Sequence, residues 1–314
     1  MKEFEVLVIG ELNIDLILNN IESMPIIGKE VLAENFTQTL GSSSAIFANN
    51  LSMLGANVSF LGKVGMDSYA AQISAALKKG GVDISNILKT PSKQTGLTVA
   101  LNFDNDRAMV TYPGAMNELK LEDIADEILD SASHMHLSSI FLQEGLKPDV
   151  VELFKKAKSK RMTTSLDTQW DPKEKWDINL RSLLPYVDVF LPNASELKRL
   201  TSQATIEAGL ETIKSFCNVV VVKNGTKGAI MWDKTKKVEQ NAFLNEHVVD
   251  AIGAGDSFNA GFISQYIKRR PLEKCLEFGA VTGAINTTAA GGTNAFKSLD
   301  YVKKVAKEKF NYTF

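Results

Sequence analysis

Residues 249–262, Val-Asp-Ala-Ile-Gly-Ala-Gly-Asp-Ser-Phe-Asn-Ala-Gly-Phe, hold the densest chemistry in the chain. Gly253 and Gly255 precede Phe258, Phe262, Ile263, Tyr266 and Ile267, an apolar run whose spacing predicts a helix. A glycine turn that opens a helix leaves backbone N–H groups without intrahelical acceptors, and the helix dipole adds partial positive charge there. Such a start is an anion site, and Asp256 lies inside it. A carboxylate beside a phosphate-shaped cradle suits a base that takes a proton from a hydroxyl while the cradle holds phosphoryl charge. The field at the helix start favours an ionised Asp256 at neutral pH. The plainer alternative is an aspartate that only caps the helix.

The elements that must carry this site alternate. Apolar runs at 6–9, 58–61, 134–137, 163–166, 187–191 and 219–222 predict buried strands. Helical periods fill 68–79, 148–158, 195–200 and 206–216, and three consecutive helices are expected at 254–267, 272–289 and 298–310. This rhythm argues for an α/β fold, a parallel sheet with helices on both faces. Two stretches break it, about 14–39 and 96–112. The alternation Leu97, Val99, Leu101, Phe103, followed by a turn at Asp104-Asn105-Asp106, predicts a hairpin. We expect one domain over 1–314 from which these stretches project as a small β-sheet lid, since ligands in such folds bind outside strand ends.

Composition excludes several classes of function. The 314 residues carry a net charge of -2, so no basic field points to nucleic acid. The apolar run near the N-terminus is too short for a membrane span. Cys217 and Cys275 lack metal-ligand spacing and predict buried reduced thiols in a cytoplasmic protein. His134 and His136 alternate with Met135 and Leu137 as in a strand, which points to packing rather than metal binding.

Other segments add polar groups at strand ends. Asn13 and Asp15 share one face, where an acid can accept bonds from neighbouring sugar hydroxyls; a turn-stabilising role is the alternative. Gly41-Ser42-Ser43-Ser44 precedes a helix at about 45–54; one serine would serve as cap, leaving the others for a polar ligand. Asn193 and Glu196 fall on one face of a starting helix, where they form a capping box or address phosphate and a metal-bound water. Lys223-Asn224-Gly225-Thr226-Lys227-Gly228 is a hairpin turn or a glycine-lined nucleotide wall, without Walker A spacing.

Taken in order, these segments resemble the ribokinase-like (PfkB) carbohydrate kinase family from Val6 to about Asn294, most specifically at 250–262. Leu54-Gly55-Ala56-Asn57-Val58 with Gly62-Lys63-Val64-Gly65-Met66-Asp67, then Gly80-Gly81-Val82-Asp83 and Thr95-Gly96, also fall where that family has its motifs. The resemblance implies an αβα sandwich with a β lid, and ATP-dependent phosphorylation of a sugar with Mg2+. It implies that Asp256 is the base and that Gly253, Ala254 and Gly255 form the anion hole. Asn13, Asp15, Gly41, Ser42, Ser43, Ser44 and Arg107 fall to the sugar side. Asn193, Glu196, Lys223, Gly225, Gly228, Ala280, Gly283 and Asn286 fall to ATP, with Glu196 reaching Mg2+ through water. Asp250 and the Ile252 carbonyl match a K+ site of some members, and pairing of two lids would give a homodimer.

The chain departs from the family at Ser42, Ile46, Ala251, Ile252 and Met116, which bears on the sugar chosen and on K+ activation. Two rivals follow. A nucleoside kinase of the same fold would need an apolar platform such as Phe36, Phe103 or Ile46. A non-catalytic relative would bind sugar or nucleotide without turnover. A dinucleotide dehydrogenase does not fit, because no glycine-rich fingerprint follows Gly10.

Overall fold

The computed structural model describes residues 2–103 and 106–314. Its strands are β1 (Phe4–Ile9), β2 (Asn13–Ile21), β3 (Ala33–Leu40), β4 (Val58–Val64), β5 (Ile87–Lys89), β6 (Gly96–Phe103) and β7 (Asp106–Tyr112), then β8 (Ala132–Ser138), β9 (Thr163–Asp167), β10 (Val189–Phe190), β11 (Val219–Lys223), β12 (Ala229–Trp232) and β13 (Lys237–Gln240). Nine form the main sheet in the order β13-β12-β11-β10-β9-β8-β1-β4-β5. From β11 to β5 every pairing is parallel, and β12 and β13 append an antiparallel edge. Each apolar run expected to be a strand is one. The run at 187–191 pairs only at Val189 and Phe190, because a strand needs partners as well as apolar residues.

Strand alternation sends side chains to two cores. Val6 and Val8 of β1 pack on one side with helices Ser43–Met53, Ala254–Tyr266 and Leu272–Asn286. Leu7 and Ile9 pack on the other with Leu153, Phe154, Leu183, Leu197 and Leu210. A sheet apolar on both faces is stable only between two helical layers, which makes the three-layer sandwich.

His134 and His136 on β8 bond to hydroxyls. An unbroken hydrogen-bonded ladder runs Thr163, His134, Ser165, His136, Ser138 in steps of 2.7–2.8 Å. Burial pulls His134 down to about 3 and His136 well below its usual range, so both imidazoles are neutral. Cys217 and Cys275 are buried free thiols, as expected.

The two stretches outside the βα rhythm meet in a second sheet, ordered β3-β2-β6-β7, with β2 and β6 parallel and the other pairs antiparallel. The expected hairpin is β6–β7; its tip at 104 and 105 lies outside the described residues. This sheet leaves Phe36 and Val110 exposed. Among the described residues no helix is long and apolar enough to cross a membrane.

Candidate active site

The site begins at a turn that only glycine allows. Gly253 has φ +76°, in the left-handed region, and caps helix Ala254–Tyr266 without any side-chain cap bond. A Cβ there would lie 2.6 Å from the Cα of Gly292. The Ala254 N–H donates to the Ala251 carbonyl at 3.2 Å, which leaves the N–H groups of Gly255 and Asp256 to a ligand. Asp256 sits within the first turn and is buried, and the cap position belongs to Gly253 with no side-chain cap bond, so Asp256 is not the capping residue.

The turn is braced from behind. Asn50 donates to Ser257 Oγ and to the Gly292 carbonyl, both at 2.9 Å; Ser257 donates to Asn286, and Asn286 donates to the Ile252 carbonyl at 2.6 Å. Asp250 accepts the N–H groups of Ile252 and Gly291, each at 2.8 Å. Gly253→Ala forces a side chain into the Gly292 backbone and shifts the helix start. We expect kcat to fall about 100-fold, the scale of an ångström-sized misplacement, with a lower melting temperature; steady-state kinetics and thermal unfolding on one preparation check both.

In front of the helix start lies a cavity of 710 Å³. Its lining includes Asp15, Ser42, Ser43, Ile46, Arg107 and Gln169, with Gly253, Ala254, Gly255, Asp256, Lys223, Asn193, Glu196, Gly225, Gly228, Ala280 and Gly283. A Cβ added to Gly255 would lie 3.7 Å from Lys223 Nζ, which puts the ammonium beside the helix start.

The electrostatics differ from the sequence expectation for Asp256. Burial, then the charge of Asp167, pushes its carboxyl up to about 8, against Lys223 and the Ser43 hydroxyl, so desolvation outweighs the helix field. Burial and Asp167 also raise Glu196 to about 7. Burial raises Asp15 to about 6, with the Arg107 charge opposing. Lys223 feels burial pulling its pKa down, yet Asp167 and Glu196 raise it overall and keep it charged.

The sequence profile described as pfkB family carbohydrate kinase matches residues 3–299. The chain belongs to this family. It is 26% identical over 309 residues to a ribokinase of Lactococcus lactis subsp. lactis, covering 97% of each chain. It is 26% identical over 318 residues to a 5-dehydro-2-deoxygluconokinase of Geobacillus thermodenitrificans, covering 96% of this chain and 93% of that one. Among solved structures, Arabidopsis thaliana ribokinase complexed with ribose and ATP superposes with a TM-score of 0.83 at 24% identity, over 97% of this chain and 99% of that one. That likeness confirms the ribokinase-like fold.

Within this pfkB-family chain, five residues assigned from sequence do not line the cavity. Asn13 is buried and spends its amide on Asp15 (2.8 Å) and Thr98 (3.1 Å). Gly41 is small because a Cβ would strike Asp15 Oδ1 at 2.2 Å. Ser44 turns away and bonds the buried Glu11. Asn286 is spent on Ser257 and the Ile252 carbonyl and does not line the cavity. Asp250 and the Ile252 carbonyl, the expected K+ ligands, are engaged with Gly291, the Ile252 N–H and Asn286. The three serines thus divide: Ser42 caps helix Ser43–Met53 by accepting the Ala45 N–H, Ser44 holds Glu11, and Ser43 faces the cavity. Asn193 and Glu196 form the capping box and also line the cavity.

Three polar residues escaped the sequence reading. Asp167, at the end of β9, is fully buried and accepts from Lys223 (2.6 Å), Asn259 (2.5 Å) and Gln169 (3.0 Å). Gln169 also reaches Asp256. Glu11 is buried with its carboxyl pushed up by desolvation. It shares sequence parity with Asn13 and Asp15, the one signal that pointed to it.

Proposed function

We propose that this carbohydrate kinase transfers the γ-phosphoryl group of ATP to a hydroxyl, a primary one, of a sugar or sugar acid, with Asp256 as general base. The observation that carries the reading is a buried carboxyl inside the first turn of an uncapped helix, with Lys223 alongside, in one cavity. Asp256 takes the acceptor proton, the N–H groups of Gly255 and Asp256 receive developing phosphoryl charge, and Lys223 supplies a fixed positive charge. A sugar and ATP, the ligands this reading assigns to the cavity, are those named for the Arabidopsis structure of the same fold.

Mg2+ fits the donors present. No group of three or more His, Cys, Asp or Glu that could cage a metal occurs among the described residues. Mg2+ typically needs only one or two carboxylates besides phosphate and water. Glu196, raised by burial and by Asp167, is a cavity-lining carboxyl that a cation would relieve. Bound there, Mg2+ would neutralise charge on the transferring phosphates; Asn193 and Glu196 would hold it through water. A K+ held by Asp250 and the Ile252 carbonyl would share oxygens that each accept one hydrogen bond within the chain and keep a further lone pair.

The second sheet contributes Asp15, Ala100, Arg107 and Met109 to the cavity, which supports its role as a lid that excludes water. Its exposed Phe36 and Val110 fit the association of two such sheets into a homodimer; sedimentation showing only monomer at micromolar concentration would remove that idea. A nucleoside acceptor is less well served: of Phe36, Phe103 and Ile46, only Ile46 lines the cavity. Ile46 is also packed against Gly253 and Gly292, which restricts its use as a platform.

A base must be ionised, and kcat/KM reports the free enzyme. Because Asp256 is raised to about 8, kcat/KM should climb with pH until about 8. A profile already flat from about pH 5, near the ordinary carboxylate range, would contradict the assignment. The function itself is tested by a coupled assay of ATP consumption across pentoses, hexoses, ketoses, sugar acids and nucleosides. Consumption should depend on a sugar or sugar acid; an acceptor-independent rate, or a response to nucleosides alone, would overturn the reading.

A further inference from the structure

Gln169 lies two residues beyond β9 with φ +59°, in the left-handed region that a glutamine adopts only when its surroundings demand it. Asp167 supplies the demand. Its Oδ1 accepts the Gln169 backbone N–H at 3.3 Å, and its Oδ2 accepts Gln169 Nε2 at 3.0 Å. The same Nε2 donates to Asp256 Oδ1 at 2.9 Å. One amide group with two hydrogens thus spans two carboxyls. Asp167 is itself fixed by Lys223 and Asn259. Gln169 therefore ties Asp256 to the most firmly held acid of the site.

We propose that Gln169 is a positioning residue that sets the orientation of Asp256 and favours its ionised form, an assignment that rests on Asp256 being the general base. The charged groups facing Asp256 are Asp167 on β9, Lys223 on β11 and Glu11 after β1, with Glu196 of helix Ala194–Thr201 on the far side of Lys223. Asp167 and Glu11 favour protonation of Asp256; Lys223 and the Ser43 hydroxyl oppose it. The amide of Gln169 joins the opposing side, because an N–H given to a carboxylate stabilises the charged form. Gln169 also lines the cavity, so the test below separates this role from direct contact with the acceptor.

Three variants test this. Gln169→Met keeps the length and removes the donor, Gln169→Glu replaces donor by acceptor, and Gln169→Asn keeps a shortened amide on a residue type that tolerates positive φ. In Gln169→Met the acid limb of kcat/KM should move up by about one pH unit and kcat at neutral pH should fall about tenfold, the scale of losing one hydrogen bond to a charged group. Gln169→Glu should move the limb further, and Gln169→Asn should recover part of the loss. KM for acceptor and for Mg·ATP should stay within about twofold, since uniform binding is untouched. If either longer variant fails to melt cooperatively, the Asn variant decides by its own limb. Wild-type profiles with wild-type kcat would overturn the inference, as would a raised acceptor KM with kcat unchanged, which would make Gln169 a sugar contact. A normally active Asp256→Asn enzyme would instead remove the base assignment itself. An inactive Asp256→Asn beside wild-type-like Gln169 variants removes only the positioning role.

Discussion

Asp256→Asn is expected to lower kcat at least about 100- to 10,000-fold, the usual contribution of a general base, and at the same time to stabilise the protein above neutral pH. The sign follows from proton uptake. In the fold Asp256 is raised to about 8, whereas the unfolded chain titrates it near about 3.9. Between those values the native state holds a proton that the unfolded state has lost, so stability falls as pH rises through this window. Asparagine has no such charge to bury. The variant's melting temperature should therefore match wild type near pH 4 and exceed it by about 2–5 °C above pH 8. Thermal unfolding at several pH values, with turnover on the same samples, measures both. A variant that loses stability as well as activity would mean that Asp256 is a structural residue.

Lys223→Met should be the most damaging substitution for folding and nearly as damaging for turnover. The ammonium is 2.6 Å from Asp167, with side-chain exposures of 11% and 0%, and it faces Glu196 and Asp256 as well. Removing one partner of a buried pair leaves charge uncompensated, which costs about 3–5 kcal/mol. Denaturant midpoints at neutral pH should show that loss. The loss should grow as pH rises through about 7 to about 8, where Glu196 and Asp256 ionise in the wild type and draw on the cation. Losing a fixed charge beside the helix start should lower kcat about 1,000-fold. Stability equal to wild type at neutral pH would show that the acid cluster does not depend on Lys223.

The sandwich was legible because apolar runs of strand length and helical periods alternate, and because two faces of each strand are apolar. The second sheet showed itself by breaking that rhythm. Helix ends were less legible. The expected 272–289 helix stops at Asn286, whose side chain is used on Ser257 and Ile252, and the expected 206–216 helix stops at Ile213. In the site, Gly253, Gly255 and Asp256 could be read locally, since turn, dipole and carboxylate lie within four residues. Asp167 could not. Its partners Lys223 and Asn259 are 56 and 92 positions away, and in sequence it is only an acid at the end of a strand. The ionisation of Asp256 was misjudged for the same reason: the helix field is a local property, while burial and the charge of Asp167 exist only once the chain has folded. Motif position also could not reveal that Asn286 and Asp250 brace the turn through Ser257, Ile252 and Gly291.

The central claim is that the Asp256 carboxylate activates an acceptor hydroxyl toward ATP. The most direct measurement is mass spectrometry of products formed by wild type and Asp256→Asn with Mg·ATP and the best acceptor from the screen, under single-turnover conditions. We expect a phosphorylated sugar from wild type within the first turnover and almost none from the folded variant over the same interval. Equal yields from the two proteins would contradict the account.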